Sequence, residues 1–227
     1  MVIEKIINND KPILALIHSG NSTPDEFKDY VELLKDDFSL WLFTVPGHGK
    51  DRESSYEPIR YNAVNFLEEL KKENKECYIL GRGLGAQIAI AMALEDSTFV
   101  KKIVVESPLC VSLGLMTFAF RLKAKFYKPN YEAVTQGLCL SKGNYNLMVR
   151  DNTSFMLDNR VHECNTSVLV LHAEKDDKAL IHSADYICGY FKNSKRVKYP
   201  YSHDFGISHF EEVIPAIKEF LLEEKEK

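Results

Sequence analysis

Short apolar runs alternate with amphipathic stretches along most of the chain. The apolar runs are followed by loop-forming residues such as Ser, Gly and Pro, a pattern typical of buried β-strands. The predicted strands cover residues 12–18, 38–45, 77–80, 103–105, 167–172 and 196–199. Apolar spacings of three and four residues predict helices over 24–34, 58–72, 86–94, 180–191 and 210–222. This alternation predicts an α/β fold with a mostly parallel, doubly wound sheet covered by helices on both faces.

Three of these helices carry more specific predictions. Thr23 is the predicted N-cap of the first helix, and Glu26 its partner in a capping box. Pro215 must lie in the first turns of the last helix or kink it. The buried face of the helix over 58–72 is predicted to consist of Tyr61, Val64, Leu67 and Leu70.

The alternation stops between residues 107 and 165, where helices are predicted over 115–127, 131–138 and 145–157 and no strand is predicted. Such a stretch is too long for a simple crossover between two strands. We therefore interpret residues 107–165 as a helical cap insertion, and residues 1–106 and 166–227 as the core. The cap is expected to cover the carboxyl ends of the strands, where open α/β sheets bind their ligands.

Composition narrows the possible partners and the compartment. The chain has 227 residues and a net charge of −4, so no basic excess predicts binding to nucleic acid or to an anionic membrane. The apolar runs are too short to cross a bilayer, and the acidic N-terminal stretch does not resemble a signal peptide. The five cysteines are scattered and form no CxxC pair, so we expect no metal, no other cofactor and a cytoplasmic location. The final EEKEK is predicted to be a frayed helix end.

The segment GRGLG over residues 81–85 joins a predicted strand to a predicted helix. It has the frame of a nucleophile elbow, G-x-S-x-G, in which a serine lies on a tight strand-to-helix turn. Here the central residue is Gly83, which adopts strained turn geometry readily but carries no attacking oxygen. A plain glycine-rich turn or a phosphate loop is the alternative. The dinucleotide pattern G-x-G-x-x-G requires glycine at the sixth position, where Ala86 stands, and no P-loop lysine follows.

Over nearly its whole length the sequence resembles the α/β-hydrolase family. Four landmarks follow in the family's order: LIHSGN, VPGHGKD, GRGLGAQIA, and LVLHAEKDD with the later YPYSHDF and EEVIPAIKEFL. The serine enzymes of this family include esterases, lipases and thioesterases. The resemblance implies an α/β-hydrolase fold whose nucleophile position is occupied by Gly83.

The resemblance also implies the remaining catalytic residues. Asp176, just after a strand, matches the family's triad acid. Asp177 is a neighbouring alternative. Without a catalytic role, these residues would simply form a solvated charged turn. His203 matches the catalytic histidine, and His209 is the competing candidate. An Asp–His pair orients an imidazole as a base even where the nucleophile is missing.

The oxyanion hole is implied by the same comparison. One amide is expected from Leu84, after the nucleophile position, and the other from Ser19 or Gly20 in the HSG loop. His18 is expected to be structural. Arg82 is expected either to meet an anionic ligand or to form a surface salt bridge.

Other residues near the strand ends are weaker candidates for the missing nucleophile, because none lies on an elbow. These are Ser22, Ser107 and Cys110. Glu106 occupies a position where some family members keep an alternative acid, and Cys77 is expected to be a core residue.

Three functions remain open from the sequence. The chain belongs to a lineage that hydrolyses small carboxylic esters or thioesters, impaired by natural loss of the serine or by an introduced Ser→Gly change. Alternatively it is a natural pseudo-hydrolase that binds a ligand or protein partner in the cleft, or an enzyme that uses His203 as a base without a covalent intermediate. The expected partner is a small acyl or carboxylate-bearing molecule, with no nucleic acid and no membrane. Nothing in the pattern specifies an oligomeric state.

Overall fold

The computed structural model describes residues 1–223, and within them one sheet of seven strands. The order is β1-β3-β2-β4-β5-β6-β7, and every neighbouring pair is parallel except β1 with β3. The strands are β1 (Val2–Ile6), β2 (Ile13–Ile17), β3 (Ser39–Thr44), β4 (Cys77–Arg82), β5 (Val100–Glu106), β6 (Ser167–Ala173) and β7 (Ser194–Tyr199). The predicted α/β class with a mostly parallel sheet is confirmed. Residues 224–227, in the predicted frayed end, lie outside the described residues.

Helices cover both faces of this sheet. They are α1 (Lys28–Leu34), α2 (Ile59–Lys71), α3 (Leu84–Glu95), α4 (Leu115–Lys125), α5 (Tyr131–Thr135), α6 (Lys142–Asn152), α7 (Lys178–Tyr190), α8 (Phe205–Ser208) and α9 (Phe210–Leu222). Side chains alternate along the strands, so β2 sends Ile13, Ala15 and Ile17 to one core and Leu14 and Leu16 to the other. The first core is closed by α2, α3 and α7, and the second by α1 and α9.

The predicted buried face of α2 is wrong at two of its four residues. Tyr61 is 55% exposed and Val64 is 37% exposed. Leu67 and Leu70 are buried as predicted, together with Ile59, Asn62, Ala63 and Phe66. In α9, Pro215 is the sixth residue, in the second turn of the helix.

Between β5 and β6 the chain forms α4, α5 and α6 and a short 3₁₀ helix, Asn159–His162. This segment contacts the loops that follow β2 and β3. Asn21 Oδ1, in the loop after β2, accepts a hydrogen bond from the Leu140 amide (2.8 Å). Asn144 of α6 binds the amide of Tyr56 and the carbonyl of Ser54, in the loop after β3. The helices therefore lie at the carboxyl ends of the strands, where the sequence places the candidate site.

Candidate active site

Gly83 forms a sharp turn between β4 and α3. Its φ of 52° and ψ of −108° lie outside the conformations that L-residues commonly adopt, and glycine takes them with little strain. The turn is held by the Gly83 amide, which donates to the carbonyl of Glu106 at 2.9 Å. The backbone is thus bent as a strand-to-helix elbow requires.

The two flanking glycines are required by close backbone packing. A Cβ on Gly85 would overlap the carbonyl of Ile17 on β2, and a Cβ on Gly81 would overlap the carbonyl of Gly85. Gly83 differs, because the atom nearest to a Cβ built there is Ser19 Cβ at 3.4 Å. The elbow therefore has room for a side chain at position 83, although its φ strains any residue with a Cβ.

Asp176 and His203 form a hydrogen-bonded pair. His203 Nδ1 donates to Asp176 Oδ1 at 2.7 Å, while Asp176 Oδ2 accepts from the Ala173 amide and from Ser107 Oγ, both at 2.9 Å. Asp176 has no exposed side-chain surface, whereas the His203 side chain is 57% exposed. With Nδ1 bound to the carboxylate, His203 Nε2 is the nitrogen available to exchange a proton with a ligand.

The protonation of this pair follows from its contacts. The hydrogen bond to Asp176 raises the pKa of His203, against the opposing effect of burial. Burial alone would raise the pKa of Asp176, but the hydrogen bonds from His203, Ala173 and Ser107 together lower it. Asp176 therefore stays ionised and favours the charged form of the imidazole.

The competing acid and base lie elsewhere. Asp177 precedes α7 and makes no side-chain capping bond there. His209 stacks on Tyr201, with ring centroids 3.6 Å apart, and its Nδ1 lies 3.9 Å from Glu212. The structure brings Asp176 together with His203, and the catalytic roles of both residues stay predictions.

Of the two candidate oxyanion residues in the HSG loop, Ser19 has its amide occupied. Ser19 N donates to Glu26 Oε1 at 2.8 Å, and Ser19 Oγ donates to Glu26 Oε2 at 2.7 Å. Gly20 lies between α6 and the elbow, since a Cβ built on it would be 3.0 Å from Met148 Sδ and 3.6 Å from Leu84 Cβ. Leu84 is the first residue of α3, where an amide has no intrahelical acceptor. The amides of Gly20 and Leu84 are thus the better pair.

Glu26 does not complete the predicted capping box, because its carboxylate binds Ser19. The N-cap prediction is confirmed, since Thr23 Oγ1 accepts from the Asp25 amide. The capping role predicted for Glu26 is therefore wrong. Its carboxylate instead anchors the loop beside the elbow.

Two buried histidines support the same loop. His18 Nε2 accepts from the Val45 amide at 3.0 Å, and His48 Nε2 accepts from the Asn21 amide at 3.2 Å. Burial lowers the pKa of His18 to about 4; burial and the neighbouring His18 lower that of His48 to about 3. Both imidazoles are therefore neutral near pH 7, and the structural role expected for His18 agrees with its contacts.

Arg82 forms neither a surface salt bridge nor a contact with the open site, contrary to both expectations. It is 6% exposed, and its Nε donates to Glu106 Oε1 at 3.0 Å. Its guanidinium also faces the rings of Phe27 and Tyr30, at 5.1 and 5.2 Å from their centroids. Glu106 is therefore occupied by Arg82 in a buried pair beneath the elbow. Burial raises the pKa of Glu106 despite the opposing effect of the Arg82 guanidinium.

The substitute nucleophiles are not supported by their surroundings. Ser107 donates its hydroxyl to Asp176, and Ser22 is half-buried in the loop after β2. Cys110 and Cys77 are buried, and burial raises the pKa of both thiols, which keeps them protonated and weakly nucleophilic. Cys77 lies in the core as expected.

A cavity of about 710 Å³ lies between the loop after β5, α4 and the first turns of α7. Asp177, the residue after Asp176, is part of its lining, whereas Asp176 and His203 are not. Its apolar lining comprises Leu109, Val111, Leu113, Met116, Phe120 and Leu180. The size and lining suit an acyl group.

Residues 1–223 contain no group of three or more His, Cys, Asp or Glu side chains arranged to hold a metal ion. None of the helices in this range is long and apolar enough to cross a membrane.

A model of the alpha/beta hydrolase family matches residues 14–201. The chain therefore belongs to the alpha/beta hydrolase family, which confirms the resemblance seen in the sequence. The uncharacterised hydrolase YugF of Bacillus subtilis (strain 168) is 24% identical over 110 residues, which make up 46% of this chain and 38% of YugF. The chain thus matches well under half the length of that relative.

Solved structures share the fold at low identity. An enol-lactonase from Burkholderia xenovorans LB400 has a TM-score of 0.83 at 13% identity, covering 98% of this chain and 96% of its own. A hydrolase from Pseudomonas aeruginosa PA01 has a TM-score of 0.81 at 16% identity, with 96% and 93% covered. MenH from S. aureus has a TM-score of 0.78 at 19% identity, with 99% of both chains covered.

Proposed function

We propose that this chain is an acyl-binding protein of the carboxylic ester and thioester hydrolase type, whose covalent route is blocked at Gly83. The observation that carries the proposal is the elbow itself. Gly83 keeps the bent backbone and has room for a side chain, while the Asp176–His203 hydrogen bond is intact. A site that had lost all relation to hydrolysis would have no need of this arrangement.

The chemistry follows from the groups that remain. The amides of Gly20 and Leu84 would bind a carbonyl or carboxylate oxygen, and the cavity beside Asp177 would take the acyl chain. We further propose that residues 107–165 act as the cap that shapes this pocket. Without a serine hydroxyl no acyl-enzyme forms, so turnover is limited to the residual of about 10³ to 10⁴ over water that binding and an oxyanion hole supply.

The similarity to an enol-lactonase supports the same reaction type, because a lactone is a cyclic ester. All five cysteines are free, which fits a reducing compartment such as the cytoplasm.

The test is to restore the hydroxyl. We expect Gly83→Ser to hydrolyse p-nitrophenyl acetate at least about 100-fold faster than the wild type, because removal of a triad serine costs far more than that in working enzymes. Gly83→Ala is the matched control for the added Cβ. Gly83→Ser combined with His203→Ala should lose the gain. A folded Gly83→Ser variant no faster than Gly83→Ala would refute the proposal.

A second candidate function rests on the exposure of His203. Its Nε2 can act as a base toward a water molecule or a ligand proton, without a covalent intermediate. If so, His203→Ala alone abolishes the wild-type turnover of the true substrate. Wild-type turnover that survived His203→Ala unchanged would exclude this route.

A further inference from the structure

The first cap helix, α4, presents its large apolar side chains to solvent. Leu115 is 93% exposed, and Phe118 and Phe126 are each 71% exposed. Ala124 is the buried residue of this helix. The usual arrangement of a surface helix, with apolar residues inward and polar residues outward, is therefore reversed here.

These exposed side chains form a continuous stripe. Leu115, Phe118, Leu122 and Phe126 follow one another at intervals of three and four residues, which places them on one side of the helix. Leu122 is 41% exposed, so the stripe is open along its whole length. Contiguous apolar surface of this kind marks a binding surface rather than a chance exposure.

The stripe lies in a basic part of the chain. Residues 113–150 contain six basic side chains and one acidic side chain, a net charge of +5, whereas the whole chain carries −4. The rest of the chain therefore carries −9. Lys123, Lys125 and Lys128 flank the stripe and are exposed, and none of the three forms an ion pair within residues 1–223.

A groove of about 650 Å³ between α4 and α6 also combines apolar surface with positive charge. Phe118, Leu122 and Leu147 supply its apolar surface. Arg121, Lys125 and Arg150 supply positive charge along it. Apolar surface bordered by cations matches amphiphiles that carry an acyl chain and an anionic head group.

We propose that the α4–α6 face docks on a lipid surface that contains anionic lipids. The stripe on α4 would enter the boundary between head groups and acyl chains, with the lysines at the level of the lipid phosphates. The charge of the whole chain predicts no membrane partner. This prediction does not extend to the α4–α6 face, because its charge has the opposite sign. The inference is independent of the reaction at Gly83.

A second copy of the chain fits this face less well than a membrane does. Pairing the face with itself would bring two segments of net charge +5 together, which is unfavourable at physiological ionic strength over distances within about 8 Å. An anionic bilayer instead satisfies both features of the face, since each lysine near such a surface strengthens partitioning about fivefold, or about 1 kcal/mol.

Binding to vesicles tests the proposal. We expect the full chain to sediment with phosphatidylcholine vesicles containing 30% phosphatidylglycerol, at least about tenfold more strongly than with phosphatidylcholine alone. High salt should weaken the binding, because charge contributes to it. A monomeric protein that failed to bind, or that bound both vesicles equally, would overturn the proposal.

Variants separate the two contributions. Phe118→Ser with Phe126→Ser should lower partitioning at least about tenfold, and Lys123→Gln with Lys125→Gln about 25-fold at low salt. The matched apolar control is Tyr61→Ser, on α2 and 55% exposed, and it should bind as the wild type does. All variants change exposed residues, and thermal unfolding checks that they fold. A dimer that Phe118→Ser with Phe126→Ser dissociates, without vesicle binding by the wild type, would assign the face to a second copy instead.

Discussion

Acidification from pH 6.5 to pH 5 should destabilise the fold through the histidines that hold the loop beside the elbow. His18 is fully buried, and its pKa in the folded chain is about 4. In the unfolded chain an imidazole has a pKa near 6.5. Between these values the unfolded state binds a proton that the folded state does not, so stability is lost as the pH falls through this window.

The size of the effect follows from the pKa difference. Each pH unit in the window costs about 1.4 kcal/mol per group, so His18 alone lowers the free energy of unfolding by about 2 kcal/mol between pH 6.5 and pH 5. His48, with a pKa of about 3, adds a similar amount over the same range. The unfolded imidazoles are only half protonated at pH 6.5, so the combined loss is about 3 to 4 kcal/mol, a large part of the total stability of a typical domain.

His172, whose pKa burial also lowers, adds to this loss. The two groups of the Asp176–His203 pair act in a different direction or range. The pKa of His203 is raised, so its contribution is present below pH 6.5 and is lost as the pH rises through its folded value. The pKa of Asp176 is lowered, so its contribution is lost only as the pH falls below about 4. Neither group therefore produces a loss of stability between pH 6.5 and pH 5.

Urea unfolding at the two pH values measures the effect. In His18→Gln the side-chain carbonyl can still accept from the Val45 amide, and we expect the pH-dependent loss to shrink by about 2 kcal/mol. His182→Gln, at an exposed position on α7, controls for removal of one imidazole. NMR titration of the wild type gives a second measurement that does not depend on the variant folding. An imidazole of His18 that titrates near pH 6.5, or equal stability at both pH values, would refute the reasoning.

The remaining predictions concern the glycines. Gly85→Ala should lower the free energy of unfolding by about 4 kcal/mol or more, because the new Cβ meets the backbone of Ile17. Gly189→Ala, inside α7 with no atom within 4 Å of the new Cβ, should instead stabilise by about 0.5 to 1 kcal/mol. Gly83→Ala should cost about 1 to 3 kcal/mol, from its φ of 52° rather than from a collision. Urea unfolding at pH 7 measures all three, and a Gly85→Ala variant as stable as the wild type would contradict the assigned close approach.

Burial decides which elements the sequence could predict. Strands buried on both faces, such as β2 and β4, are unbroken apolar runs and were predictable. β1 was missed because it is an edge strand whose residues are half-buried or exposed, and its Glu4 and Lys5 interrupt the apolar run. The face of α2 was misassigned because steps of three residues, from Tyr61 to Leu70, rotate by 180° in total around a helix.

Site residues could be predicted only where they occupy a recognisable position in a family motif. Asp176 and His203 follow their strands at recognisable distances, and the structure brings them together. Glu26 carries no such signal, because its contact with Ser19 depends on the fold of a loop rather than on spacing. The buried contact of Arg82 with Glu106 could not be predicted either, because nothing in the local sequence pattern indicates it.

The three glycines of the elbow are subject to different steric constraints. As a result, position 83 can change the chemistry of the site without changing the packing of the fold. Gly81 and Gly85 are fixed by backbone atoms that leave no space for a Cβ. Gly83 is not fixed in this way, since its neighbour Ser19 permits a side chain at ordinary contact distance. A residue at position 83 therefore changes the chemistry while costing only backbone strain, which working elbows with serine also bear. It follows that glycine here relieves strain at the expense of the nucleophile, and that Gly83→Ser should be less stable than the wild type as well as more active.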